Sequence, residues 1–143
     1  MTTSSAPVDG AADALQVLRN RTFDEIAIGD SASLERTFSS QDIHMFALQS
    51  GDVDPESSVS SPSRGTTEAI CANALISAVL GTRLPGPGTQ YVSQNLRLLG
   101  AVRPGDRLTV QMQVSSKDTA THHVTLDCTC TSQEGVAVFQ GQV

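Results

Sequence analysis

An α+β fold, with one curved antiparallel sheet wrapped around a single buried helix, is predicted for this chain by three observations. Residues 66–80, TTEAICANALISAVL, place apolar or small side chains almost all round a helix, which is the pattern of a helix buried on most sides. From residue 89 onward the chain alternates apolar and polar side chains with the period of strands, as in Val110, Met112 and Val114, and again in Val124, Leu126 and Cys128. The runs are separated by turn sequences, RPGD at 103–106, SKDTA at 116–120 and SQEG at 132–135. Such short connections fold successive strands into an antiparallel meander whose inner face needs an apolar cover, and the helix supplies it.

The elements follow in order. Residues 1–17 are expected to be a flexible tail: MTTSSAPVDG is polar and small, and residues 11–19 offer only a short helix on Leu15 and Leu18. One domain is expected over 18–143. An IGD turn leads into a first strand over residues 32–37. Ser39 or Ser40 can cap the next helix, with Asp42 at capping-box spacing from Ser39. Ile43, Phe46 and Ala47 form its apolar stripe, His44 lies off that stripe and faces solvent, and Gly51 stops the helix. Pro55, Pro62 and Gly65 make 52–65 a loop. Gly81 is expected to end the long helix, and LPGPG at 84–88 is a stiff turn. The strands are TQYVSQNLRLL, RLTVQMQVSS, THHVTLDCTCT and GVAVFQGQ. Aromatic residues make up only 3% of the chain, so the core must be mainly aliphatic.

Composition excludes several classes of function. The net charge is −6 and there is no Lys/Arg block, which argues against nucleic acid and against an anionic membrane surface. No apolar run approaches the roughly 20 residues of a membrane span, and no basic-then-apolar leader opens the chain. Cys71, Cys128 and Cys130 are an odd number without a CxxC pair, which suits reduced thiols and a cytoplasmic location. Cys128 and Cys130 should share one strand face. His122 and His123 are adjacent, point to opposite faces of a strand and do not make a zinc site.

Three segments carry a resemblance: RTFDEIAIGDSASLERTFSSQDIHMFALQSGDVDP, ALISAVLGTRLPGPGTQYVSQNLRLLGAVRPGDRLTV, and the strands that follow. Together, over residues 18–143, they resemble a MaoC-like dehydratase domain of hot-dog fold, of the (R)-specific enoyl-CoA hydratase type. The opening is most similar to the hydratase domain that in some bacteria precedes a phosphate acyltransferase. The resemblance implies a 2-enoyl-CoA substrate with its acyl chain along the central helix, no metal or redox cofactor, a homodimer, and an acyltransferase as a further partner. In that family a Gly-Asp-x-Asn-Pro-x-His motif binds the water that adds across the double bond. A backbone N–H at the start of the buried helix receives the thioester oxygen. The motif places Asp52 as the water-binding carboxylate, Asp54 at the Asn position and Pro55 at the proline. Ser57 falls where the family has its His. The helix-opening His-Gly-Met triplet falls on Cys71, Ala72 and Asn73, which makes the Ala72 N–H the oxyanion donor. The segment between the two motifs is about three residues shorter than usual.

Each of these residues also has a plainer reading. Asp52 can cap its own turn, and Ser57 can be a solvated loop serine. Glu56 is a replacement base only if its direction allows. Cys71 is either a thiol activated at a helix start or a small core residue. Asn73 must find polar partners, in the pocket or on loop backbone. Three functions therefore stand at this level. The first is a hydratase working with Asp52 and Ser57. The second is a non-catalytic acyl-CoA-binding or assembly module derived from one. The third is a hot-dog thioesterase using Asp52 or Glu68.

Overall fold

The computed structural model describes residues 20–51 and 65–143, with side chains in the second segment from Ile70 onward. The expected tail over 1–17, the short helix over 11–19 and the loop 52–64 lie outside the described residues. The chain forms strand β1 (Ser31–Thr37), helix α1 (Ser40–Ser50), helix α2 (Gly65–Thr82), and strands β2 (Asn95–Leu98), β3 (Arg107–Asp118), β4 (His123–Thr131) and β5 (Ala137–Gln142). The strands make one antiparallel sheet in the order β1-β3-β4-β5-β2, so β1 and β2 are its edges.

The strand pattern reads directly into the core. Leu108, Val110, Met112 and Val114 of β3 are buried, while Gln111 and Gln113 between them are exposed. In β4 the inward side chains are Leu126, Cys128 and Cys130. A register shift between Val114 and Ser116, and another between Cys130 and Thr131, add the bulges that bend a sheet around a helix. Facing the sheet, α2 presents Ala72, Leu75, Ile76, Val79 and Leu80, the i, i+3, i+4, i+7, i+8 stripe of a helix with one buried face. Phe139 is the one aromatic ring in this cluster, so aliphatic packing dominates as the composition requires.

Helix α1 begins at the predicted cap. The Asp42 N–H donates to the Ser39 hydroxyl at 3.1 Å, and the Ser39 N–H donates to the Asp42 carboxylate at 2.9 Å. These bonds hold the Asp42 carboxyl below its usual range. Gly51 closes the helix at φ 77. Ser39→Ala is expected to lower stability by about 1 kcal/mol, read as a shift in the denaturant midpoint at unchanged slope.

Four expectations need correction. Gly81 does not end α2; it lies inside the helix, which stops at Thr82, because Arg83 and Leu84 turn back to bond the Val79 carbonyl. The helix is not buried on most sides, since Ile70, Ala74 and Ser77 are exposed: one sheet covers only one face. The strand expected from Thr89 begins only at Asn95, because the partner of Asn95 is Gln142, where β5 ends, and earlier residues have no neighbour to pair with. Finally, β3 runs on to Asp118, so His122 lies in the turn rather than mid-strand, at φ 56. The Ala120 N–H donates to the Asp118 carboxylate at 2.9 Å and sets that turn. His123 opens β4, and both histidines are exposed.

Candidate functional site

Among the described residues the sheet and the helices leave a small cleft and a larger groove. The small cleft of about 260 Å³ lies where β1, α1 and α2 meet, lined by Arg36, Phe38, Met45, Phe46, Cys71 and Ala74 among others. The larger groove of about 490 Å³ lies at the other end of α2. Its floor is the apolar set Ile26, Leu80, Leu126 and Val143, and its rim carries Arg21, Tyr91, His122 and His123. An apolar floor under a sparse polar rim is the usual make-up of a small-molecule site.

The sequence-derived site residues fall in different places. Asp52, Glu56 and Ser57 lie outside the described residues, as does the side chain of Glu68. Cys71, Ala72 and Asn73 were expected at the start of the helix, and this placement is corrected. Helix α2 begins at Gly65, so Ala72 is a full turn and more inside it, where the N–H of an α-helix belongs to the i to i−4 ladder. The Ala72 methyl is fully buried against the sheet. Cys71 is also buried, beside the cleft, as the core reading expects. Asn73 is half-buried, and among the described residues no side-chain hydrogen bond joins it. The donors that lack intrahelical partners belong instead to the opening turn, from Gly65.

Burial pushes the Cys128 thiol up to about 11 and the Cys130 thiol up to about 12. Both therefore stay protonated and unreactive near neutrality. No group of three metal-ligating side chains occurs among the described residues, and no helix there is long and apolar enough to cross a membrane. The sequence singled out His122 only as a strand residue beside His123, and it did not single out the groove residues Phe23 and Tyr91, although the turn sequence SKDTA lies just ahead of His122.

A bent antiparallel sheet with one long helix across it defines the hot-dog class. A MaoC-like dehydratase structure from Rhodospirillum rubrum shares this fold with a TM-score of 0.62 at 20% identity, covering 87% of this chain and 97% of that one. No family model matches the sequence. An (R)-specific enoyl-CoA hydratase from Rhodospirillum rubrum is 39% identical over 127 residues, spanning 84% of this chain and 87% of the relative. An R-hydratase structure from Pseudomonas aeruginosa, in the unliganded form, superposes with a TM-score of 0.77 at 30% identity, over 87% of this chain and 84% of that one. The chain belongs to the (R)-specific enoyl-CoA hydratase family of MaoC-like hot-dog domains.

Proposed function

We propose that this chain adds water to 2-enoyl-CoA thioesters with R specificity, at a rate lowered by its Ser57. The observation that carries the reading is the likeness to an (R)-specific enoyl-CoA hydratase along most of both chains, with SGDVDP at the family's water-binding motif. Hydration puts a hydroxyl on the β-carbon and a proton on the α-carbon of the enoyl group. Electrons balance without a redox partner, so no cofactor is required. Asp52 holds the attacking water and is the one group of the motif able to take its proton near neutral pH. Ser57 supplies a hydroxyl that positions water but does not act as a base. Backbone N–H groups of the opening turn of α2 receive the enolate-like thioester oxygen, where charge builds in the transition state. The acyl chain lies along α2 in the 490 Å³ groove, on Ile26, Leu80, Leu126 and Val143.

The active form is a homodimer joined through the outer edge of β2. That edge strand has no neighbour on its far side among the described residues. Beside it Val92, Leu98 and Leu99 are 66%, 59% and 46% exposed, an apolar strip that a second copy would cover. The open face of α2, with Ala74 and Ser77, lets a second helix approach closely. A cytoplasmic setting suits a CoA thioester substrate and three reduced thiols.

The test is the loss of conjugated enoyl absorbance when a short 2-enoyl-CoA is added to the purified protein. Turnover that falls about a hundredfold in Asp52→Asn supports the hydratase reading. Absence of turnover in the unchanged protein, with acyl-CoA still bound, would establish the second reading, a non-catalytic binding module. Ser57 at the family's His position is the observation that favours that alternative. Thioester hydrolysis ranks third, since the relatives are hydratases; steady thiol release that stops in Asp52→Asn would raise it.

A further inference from the structure

We infer that residues 20–26 form a latched wall of the large groove, and that the latch, Phe23 held between Lys117 and His122, sets the longest acyl chain the groove accepts. The inference rests on the acyl chain occupying this groove. Only Ile26 in the segment is fully buried. Polar contacts hold the rest. The Arg21 N–H donates to the Pro85 carbonyl at 2.8 Å, and the Asn20 amide donates to the Pro87 carbonyl. The Arg21 guanidinium pairs with Asp30 at 2.5 Å. The Lys117 ammonium donates to the Ile26 carbonyl at 2.6 Å.

Between these anchors, Phe23 meets the end of β3 and the turn that follows it. Its ring centroid lies 5.1 Å from that of His122, and the Lys117 ammonium lies 4.3 Å from the Phe23 centroid. Phe23 and His122 both line the groove, yet neither belongs to the core cluster. The wall of the groove here is thus held by contacts of Phe23 with the β3–β4 turn and the end of β3, not by packed core. His122 is also the one non-glycine residue at positive φ among the described residues. Side chains other than glycine adopt that backbone rarely, so the turn carries a conformational cost to keep an imidazole where it meets Phe23.

A chain that fits the closed groove gains about fourfold in affinity per buried methylene, and the gain stops where the latch blocks further carbons. The experiment is isothermal titration calorimetry with saturated acyl-CoAs lengthened two carbons at a time, which needs no turnover. It compares the unchanged protein with Phe23→Ala and His122→Gly. Glycine takes the φ of 56 without strain, so His122→Gly removes the ring and keeps the turn. The expected result is a plateau in affinity for the unchanged protein, and in both variants a plateau displaced to longer chains. A plateau at the same length in His122→Gly, with an unchanged melting temperature, overturns the latch and leaves the acyl groove standing. Affinity independent of chain length in the unchanged protein overturns the acyl groove, and the latch with it.

Discussion

Ser57→His is expected to hydrate a short 2-enoyl-CoA about 10²–10⁴-fold faster than the unchanged protein, the usual worth of a positioned acid/base partner. The serine hydroxyl and the histidine imidazole differ in one decisive respect. Near neutrality the imidazole exchanges a proton readily, and the hydroxyl does not. Asp52, the preceding Gly51 and Pro55 keep the motif's frame, so the new side chain enters at the family spacing. The gain should appear in kcat with little change in KM, because the proton is transferred in the transition state and acyl-CoA binding depends on other contacts. It should vanish in the double substitution Ser57→His with Asp52→Asn, since the two groups act on one water. A rate for Ser57→His equal to that of the unchanged protein would mean that the pocket around it has departed from hydratase geometry. The non-catalytic reading would then stand.

Gly141→Val is expected to cost about 3 kcal/mol and roughly 10 °C in Tm, and to abolish the proposed dimer. Gly141 sits in β5 opposite Leu96 of β2 on one side and Cys128 of β4 on the other. A Cβ at this position would run into the Asn95 carbonyl oxygen and come within 2.8 Å of the Leu96 Cα. Both obstacles are backbone, so no rotamer change relieves them. The strand must move, and β2 is both the four-residue edge strand and the surface proposed for self-association. Sedimentation velocity should therefore report a dimer for the unchanged protein, as proposed, and a monomer for Gly141→Val at the same concentration. Gly81→Ala is the control. A Cβ there meets nothing within 4 Å, so neither stability nor assembly should fall. A Gly141→Val dimer of normal stability would show that β2 is dispensable for both.

Legibility varied with the range of the interaction. The capping box of Ser39 and Asp42, the Gly51 stop and the inward set Leu108, Val110, Met112 and Val114 rest on contacts within a few residues or on strict alternation, and each appears as read. The extent of α2 was less legible. A helix of apolar and small residues looks buried all round by composition, whereas Ala74 and Ser77 are exposed, and only the number of neighbouring layers decides that. His122 and His123 read as mid-strand because alternation alone does not show where a turn's side-chain bonds end the pairing. The start of α2 was not legible either: the resemblance implies a helix opening at Cys71, Ala72 and Asn73, whereas the helix begins at Gly65.

The sequence by itself therefore determined the α+β class, the order of the main elements, the inward face of the long strands β3 and β4 and, through several separate motifs in one order from RTFDEI to RPGDRLTV, the resemblance that the relatives bear out as the family. The class, the order of elements and the inward faces follow from periodicity, local turn chemistry and residue type, all of which act over short stretches of chain; the family follows from the resemblance of its motifs. Only the tertiary structure decided which face of α2 stays open, that β2 is short, and that residues as distant as Phe23, Leu80, His122 and Val143 share one groove. The groove is made by segments that meet through space: residues 20–26, the end of α2 and the turn after it, the start of β4, and Val143. No local pattern encodes a contact whose partners lie about a hundred residues apart, as those of Phe23 and His122 do.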